Sequence, residues 1–188
     1  MNDTWEQLRR DCESCTACGL HKTRTNCVFG TGSTEADILF VGEAPGENED
    51  QTGIPFVGRA GKLLDQFLFA VDIPRDKVYI ANILKCRPPK NRDPLPDEED
   101  ACMEFLRRQV RLLRPKVIVC LGRISAMRLI KPDFRITKEH GEWFEKGNLL
   151  LTAVYHPAAL LRDPRKKEEM MEDMKKIKAK IEEQDVNL

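Results

Sequence analysis

No stretch of the 188-residue chain approaches the roughly 20 consecutive apolar residues that a bilayer-spanning helix requires. A membrane-spanning protein is not expected. Residues Met1 to Asp11 are polar and charged and lack the apolar core of a signal peptide, so the expected location is the cytoplasm. Neither charge sign is in excess, because 31 lysines and arginines balance 31 aspartates and glutamates. An anionic partner must therefore be met by a local patch. The chain has no internal repeat and no low-complexity tract. Its most glycine-rich turn carries neither GxGxxG nor the phosphate loop GxxxxGK[ST], which argues against a nucleotide-binding regulator.

What is present is a set of seven cysteines, an odd number spread through a chain long enough for one compact domain. Without a secretion signal they read as reduced thiols or ligands. Cys15 and Cys18 form a tight pair, and Cys86 and Cys102 a looser one about seventy residues later. If the fold unites them, the four thiolates make a metal or iron–sulfur site. Zinc and a cubane cluster both suit four thiolates, and spacing leaves the two open. Cys12 repeats the ligand spacing ahead of Cys15, Cys27 stands apart, and Cys120 sits in the apolar run Val117 to Leu121 as a small core residue.

Four short apolar runs predict buried strands: Asp37 to Val41, Val78 to Ile83, Lys116 to Leu121 and Leu149 to Val154. Helical periodicity predicts helices over Ala60 to Val71 and Asp97 to Leu113, another starting near Ser125, and a last one over Lys166 to Glu183. In the last, Met170, Met174, Ile177 and Ile181 share a face that packs on the domain. Alternation of strands and helices predicts a single α/β domain with a four-stranded, mostly parallel central sheet and helices on both faces. Ligands of such sheets bind outside the carboxyl ends of the strands. Those ends carry Gly42-Glu43-Ala44-Pro45-Gly46, Asn82, Gly122 and His156.

Each of these residues has a structural alternative. A glycine-rich strand-to-helix turn brings backbone N–H groups close to a ligand, yet is common in many folds. Phe56, among Gly53, Pro55 and Gly58, is poorly placed for a core helix and well placed to stack on a flat ring. Asn82 at a strand end is either a cap or a reader of a base edge. His156, before Pro157, is either a satisfied core group or a donor to a substrate oxygen. Basic residues gather at Lys85, Arg87, Lys90 and Arg92 in a proline-stiffened loop, and at Arg162, Arg165, Lys166 and Lys167. His140 reads as part of a surface turn.

Ordered blocks across most of the chain resemble family 4 uracil-DNA glycosylases, the iron–sulfur branch of that superfamily. They are Cys15-Thr16-Ala17-Cys18 with Leu20-His21, Val41 to Gly46 with Glu49-Asp50 and Thr52-Gly53, Pro55 to Gly61, Asn82 to Pro89 with Asn91-Arg92, and His156-Pro157 through Leu160-Leu161-Arg162. The resemblance implies a hydrolase of DNA repair that flips uracil out of single- or double-stranded DNA and cleaves its glycosidic bond. It implies a structural 4Fe-4S cluster on Cys15, Cys18, Cys86 and Cys102, with cluster-binding segments at 12–18 and 86–102. By the same resemblance Gly42, Glu43, Ala44, Phe56, Asn82 and His156 bind the base, and His156, Glu43 and Glu49 are the catalytic candidates. Ala44 stands where the superfamily's first family carries a water-positioning aspartate, so Glu43 and Glu49 remain for the water. Leu160 is the expected wedge, and Arg162, Lys85, Arg87 and Arg92 are expected on DNA. A monomer is expected. The alternative is a binder that captures uracil-DNA without turnover; the related branch that traps the sugar uses a histidine in an inserted basic segment, whereas Pro88 to Pro94 is short and histidine-free.

Overall fold

The computed structural model describes residues 3–184 and 188. Helix α1 (Trp5–Glu13) starts where the Thr4 hydroxyl accepts from the Gln7 N–H. In chain order there follow strand β1 (Thr31–Gly32), β2 (Ile38–Gly42), α2 (Glu47–Thr52), α3 (Arg59–Ala70), β3 (Tyr79–Asn82) and α4 (Pro96–Leu113). The chain continues through β4 (Val117–Leu121), α5 (Arg123–Leu129), α6 (Ile136–Glu139), β5 (Trp143–Lys146), β6 (Leu149–Val154), α7 (Pro157–Arg162) and α8 (Lys167–Glu183). No helix among the described residues is long and apolar enough to cross a membrane.

Among the described residues the sheet has six strands in the order β1-β3-β2-β4-β6-β5, which corrects the expectation of four. The four expected strands are its parallel centre. β1 and β5 are added antiparallel at the edges. Both lack the apolar run of a buried strand: β1 has two residues, and β5 is half-buried or exposed throughout. β2 lies between β3 and β4, so successive crossovers leave it in opposite directions. The crevice opened by that reversal sits at Gly42 and Glu43.

Alternation along the strands builds two cores. Ile38, Phe40, Val117 and Val119 face α3, α7 and α8 through Leu64, Leu68, Leu160, Met170 and Met174. Leu39, Val41, Ile118 and Cys120 face α4 and α5 through Met103, Leu106 and Ala126. Met170, Met174, Ile177 and Ile181 are all buried, as their spacing predicts. His140 departs from expectation. Its ring is only 17% exposed, with Nδ1 2.5 Å from the buried Asp173 carboxylate and Nε2 3.0 Å from Glu169, and it ties α6 to α8.

Candidate functional site

The carboxyl ends of β2, β3, β4 and β6 open into one cavity of about 520 Å³. Its floor is set by three residues in contact. A Cβ on Gly42 would collide with Asn82 Oδ1 and lie 2.5 Å from Phe56 Cζ, so only glycine there lets the two side chains meet over the end of β2. Asn82 is 1% exposed, and its Oδ1 is a buried side-chain atom with no hydrogen-bond partner among the described residues. Such an orphan acceptor is costly unless a ligand satisfies it.

Phe56 is held from behind. It adopts a left-handed backbone conformation, φ +53°, which a bulky residue keeps only under constraint. The Arg75 guanidinium donates to the Phe56 carbonyl at 3.0 Å and to the Pro55 carbonyl at 2.8 Å, while pairing with Asp65. Gly61 in α3 packs directly under the Phe56 carbonyl, where a Cβ would collide. In front, Glu49 Oε1 accepts from Val57 N–H at 2.9 Å and Gly58 N–H at 2.8 Å, fixing the loop that enters α3. The sequence holds no signal for Arg75, since its contacts lie about ten and twenty residues away.

His156 continues the wall beside Phe56, its ring centroid 5.6 Å from that of Phe56. Its Nδ1 accepts from the Ala158 N–H at 3.0 Å, which caps α7 and leaves the neutral ring's proton on Nε2. Burial brings its pKa down from 6.5 to about 4, the Arg162 cation adding to the effect and Glu49 opposing it. Gly122, with φ +94°, lets the ring approach the end of β4. Glu43 stands on the cavity wall beside Ala44. Burial raises it from 4.5 to about 7, reinforced by Asp93 and opposed by Arg123.

Beyond Ala44 lies a second pocket. Cys15, Cys18, Cys86 and Cys102 all line it, as does Cys12, with Leu20, Leu84 and Phe105 as an apolar shell. No group of three or more histidine, cysteine or carboxylate side chains among the described residues converges as a single-ion site. The donor set is nonetheless suited to a thiolate-bound cluster. The Lys85 N–H donates to Cys102 Sγ at 3.3 Å, Arg24 to Cys86 Sγ at 3.2 Å and the Ala17 N–H to Cys15 Sγ at 3.4 Å, the kind of donors that stabilise ligand sulfurs. Burial pushes the Cys102 thiol up to about 12 and raises Cys86, whose shift Arg24 opposes.

The profile of the uracil DNA glycosylase superfamily matches residues 29–178. A type-4 uracil-DNA glycosylase of Archaeoglobus fulgidus is 46% identical, over 93% of this chain and 92% of its own. Type-4 enzymes of Sulfurisphaera tokodaii, at 45% over 94% and 84%, and Thermotoga maritima, at 43% over 92% and 92%, are similar in extent. The chain belongs to the type-4 branch of the uracil-DNA glycosylase superfamily.

For a chain of this family, two surface expectations need correction. Leu160 is fully buried inside α7, in the core under α3, and so is not a wedge on an exposed loop. Lys85 is 1% exposed; its Nζ donates to the Asn82 carbonyl at 2.9 Å and to Gln109 Oε1 at 2.7 Å. It braces the Asn82 strand end from within and does not reach DNA phosphates. Arg162 is exposed at the mouth of the cavity. Arg92 also lines it but is engaged by Glu98 at 2.6 and 2.9 Å, and Arg87 donates to Asn91. Cys120 is a fully buried core residue, as its apolar run predicts.

Proposed function

We propose that the protein excises uracil from DNA by hydrolysing the N-glycosidic bond of a flipped-out nucleotide, leaving an abasic site. One observation carries the base-reading role: the orphan Oδ1 of buried Asn82 on the wall beside Phe56. Uracil N3–H satisfies that acceptor while O4 accepts from the amide nitrogen. Cytosine, with an unprotonated N3 and an amino group, presents the reverse and leaves buried groups unpaired. Phe56 provides the stacking surface, and Gly42 and Ala44 let the base come close to the β2 turn.

His156 acts as a neutral donor. Its Nε2–H bonds uracil O2 and stabilises the negative charge that the leaving base acquires, while the sugar becomes oxocarbenium-like. Glu43 orients the water and faces the cationic sugar; once ionised it serves both tasks. Glu49 is a positioning residue, because Oε1 is held by the two N–H groups that set the Phe56 loop. Arg162 meets a phosphate, with Arg87 and Arg92 at the edge of the same surface. Cys15, Cys18, Cys86 and Cys102 hold a 4Fe-4S cluster, which supplies a structural cross-link and no electrons to a hydrolysis. The protein acts as a single-domain monomer in the cytoplasm, on single- or double-stranded DNA.

The test is multiple turnover on a uracil-containing oligonucleotide. Free uracil and an alkali-labile strand without attached protein are expected. A denaturant-resistant protein–DNA adduct overturns the hydrolytic reading in favour of capture.

A further inference from the structure

Two cysteines outside the four-thiol set meet at the edge of the cluster pocket, which Cys12 also lines. Cys12, on the last turn of α1, and Cys27, fifteen residues on, stand with their Sγ atoms 3.2 Å apart. Cys12 is 1% exposed and packs on Leu8 and Phe29, while Cys27 is partly exposed. The segment between them carries Cys15 and Cys18. It is further tied down by Arg24, which donates to the Glu13 carbonyl at 2.7 Å as well as to Cys86 Sγ. A disulfide needs its sulfurs about 2.05 Å apart, so closing this pair takes a shift of only about 1 Å.

We propose that Cys12 and Cys27 are a redox pair that closes to a disulfide and braces the segment bearing Cys15 and Cys18. The oxidant is a small-molecule disulfide such as oxidised glutathione. The Cys27 thiolate, the accessible one, attacks a glutathione sulfur and releases one glutathione thiolate. Cys12 then attacks Cys27 Sγ, breaking the mixed disulfide and releasing the second. Two protein thiols and one glutathione disulfide become one protein disulfide and two glutathione thiols, and excess thiol reverses the exchange. The closed loop restricts the segment's freedom whenever the cluster is lost, because the cross-link limits the open ensemble.

Native iron-loaded protein is incubated with oxidised glutathione while its visible absorbance is followed, then blocked with N-ethylmaleimide under denaturing conditions and digested with trypsin. Cleavage after Arg10, Lys22, Arg24 and Arg59 leaves Cys27 as the only cysteine of Thr25–Arg59 and puts Cys12 with Cys15 and Cys18 in Asp11–Lys22. The expected product joins these two peptides through Cys12, with Cys15 and Cys18 alkylated and the absorbance retained during oxidation. In Cys12→Ser, Cys27 should stop at the glutathione mixed disulfide. After oxidation the native protein should lose iron to a chelator several-fold more slowly than Cys12→Ser. Full alkylation of Cys12 and Cys27, a bond to Cys15 or Cys18 instead, joining only after the absorbance is gone, or equal iron loss overturns the proposal. So does loss of iron on making Cys12→Ser, which would mark Cys12 as a ligand. None of these readouts depends on uracil excision.

Discussion

Phe56 and His156 pack on each other in the cavity wall, ring centroids 5.6 Å apart and planes 31° from parallel. The spacing is that of two aromatic rings already in contact. The flat wall and the proton donor are therefore one continuous surface, held by Arg75 and Glu49 on one side and by the α7 cap on the other. In the proposed mode of binding, a base lying on Phe56 would meet the imidazole at its edge.

His156→Ala should slow single-turnover excision by ~10² to 10³, the loss typical of one oxyanion donor, and change DNA binding far less. Because the folded pKa lies at about 4, below the unfolded 6.5, the ring is a neutral donor throughout the neutral range. The same depression means that stability falls as pH drops from 6.5 towards 4, since the unfolded chain takes up the proton first. Thermal melts of the native protein and of His156→Ala across that window should differ in slope. Equal slopes would show that the ring is not held neutral.

Glu43 gives a pH dependence of opposite consequence. With its carboxyl raised to about 7, the ionised form proposed to face water and the sugar cation is half-populated near neutrality and predominates above it. The single-turnover rate should rise through an inflection near pH 7, and Glu43→Gln should be slow and lack that inflection. On the stability side, the folded state holds the proton more tightly than the unfolded one. Stability is therefore lost as pH rises from 4.5 to about 7, and Glu43→Gln should melt above the native protein at pH 8.

Asn82→Ala removes the proposed reader of the base edge. Losing a buried, ligand-satisfied polar group costs about 1–3 kcal/mol, or roughly 5- to 150-fold in excision rate. Asn82→Asp should also be strongly impaired, since an ionised carboxylate offers no donor to O4. Near-native excision by Asn82→Ala, in a competition between uracil and cytosine substrates, would reduce the residue to a strand cap.

The two basic residues, Arg162 and Lys85, should separate in a salt titration. Arg162→Ala should lower the slope of log affinity against log salt by ~0.9 on duplex and ~0.7 on single strands, the value of one phosphate contact. Lys85→Met should leave that slope unchanged but lower the melting temperature, because Lys85 is buried against Asn82 and Gln109. A reduced slope in Lys85→Met would put its ammonium on DNA after all.

Purified under anaerobic conditions, the protein should be brown and contain iron. Single alanine replacements of Cys15, Cys18, Cys86 or Cys102 should lose the colour and much of the stability. Cys12→Ala, Cys27→Ala and Cys120→Ala should keep it. Zinc in a colourless native protein would contradict the cluster.

Much of this molecule was legible along the chain. Apolar runs placed the four central strands and 3.6-residue spacing placed the long helices, because burial on both faces of a sheet or on one face of a helix imposes those periods locally. The same strand ends put Glu43, Asn82, Gly122 and His156 at one edge. Tertiary structure decided what spacing cannot carry. β5 has no core-facing run, so its pairing with β6 appears only in the fold. Lys85 looks like one of four loop cations, yet it turns inward, because Asn82 O and Gln109 Oε1 offer acceptors that no local pattern reveals. Leu160 lies in α7, and that helix's orientation buries it. The left-handed Phe56, its Arg75 brace and the Glu49 clasp join residues eight to twenty positions apart, and the Cys12–Cys27 contact joins two thiols that spacing had left without a partner. Short-range periodicity records which face is buried; which polar groups meet depends on how separate elements close on one another.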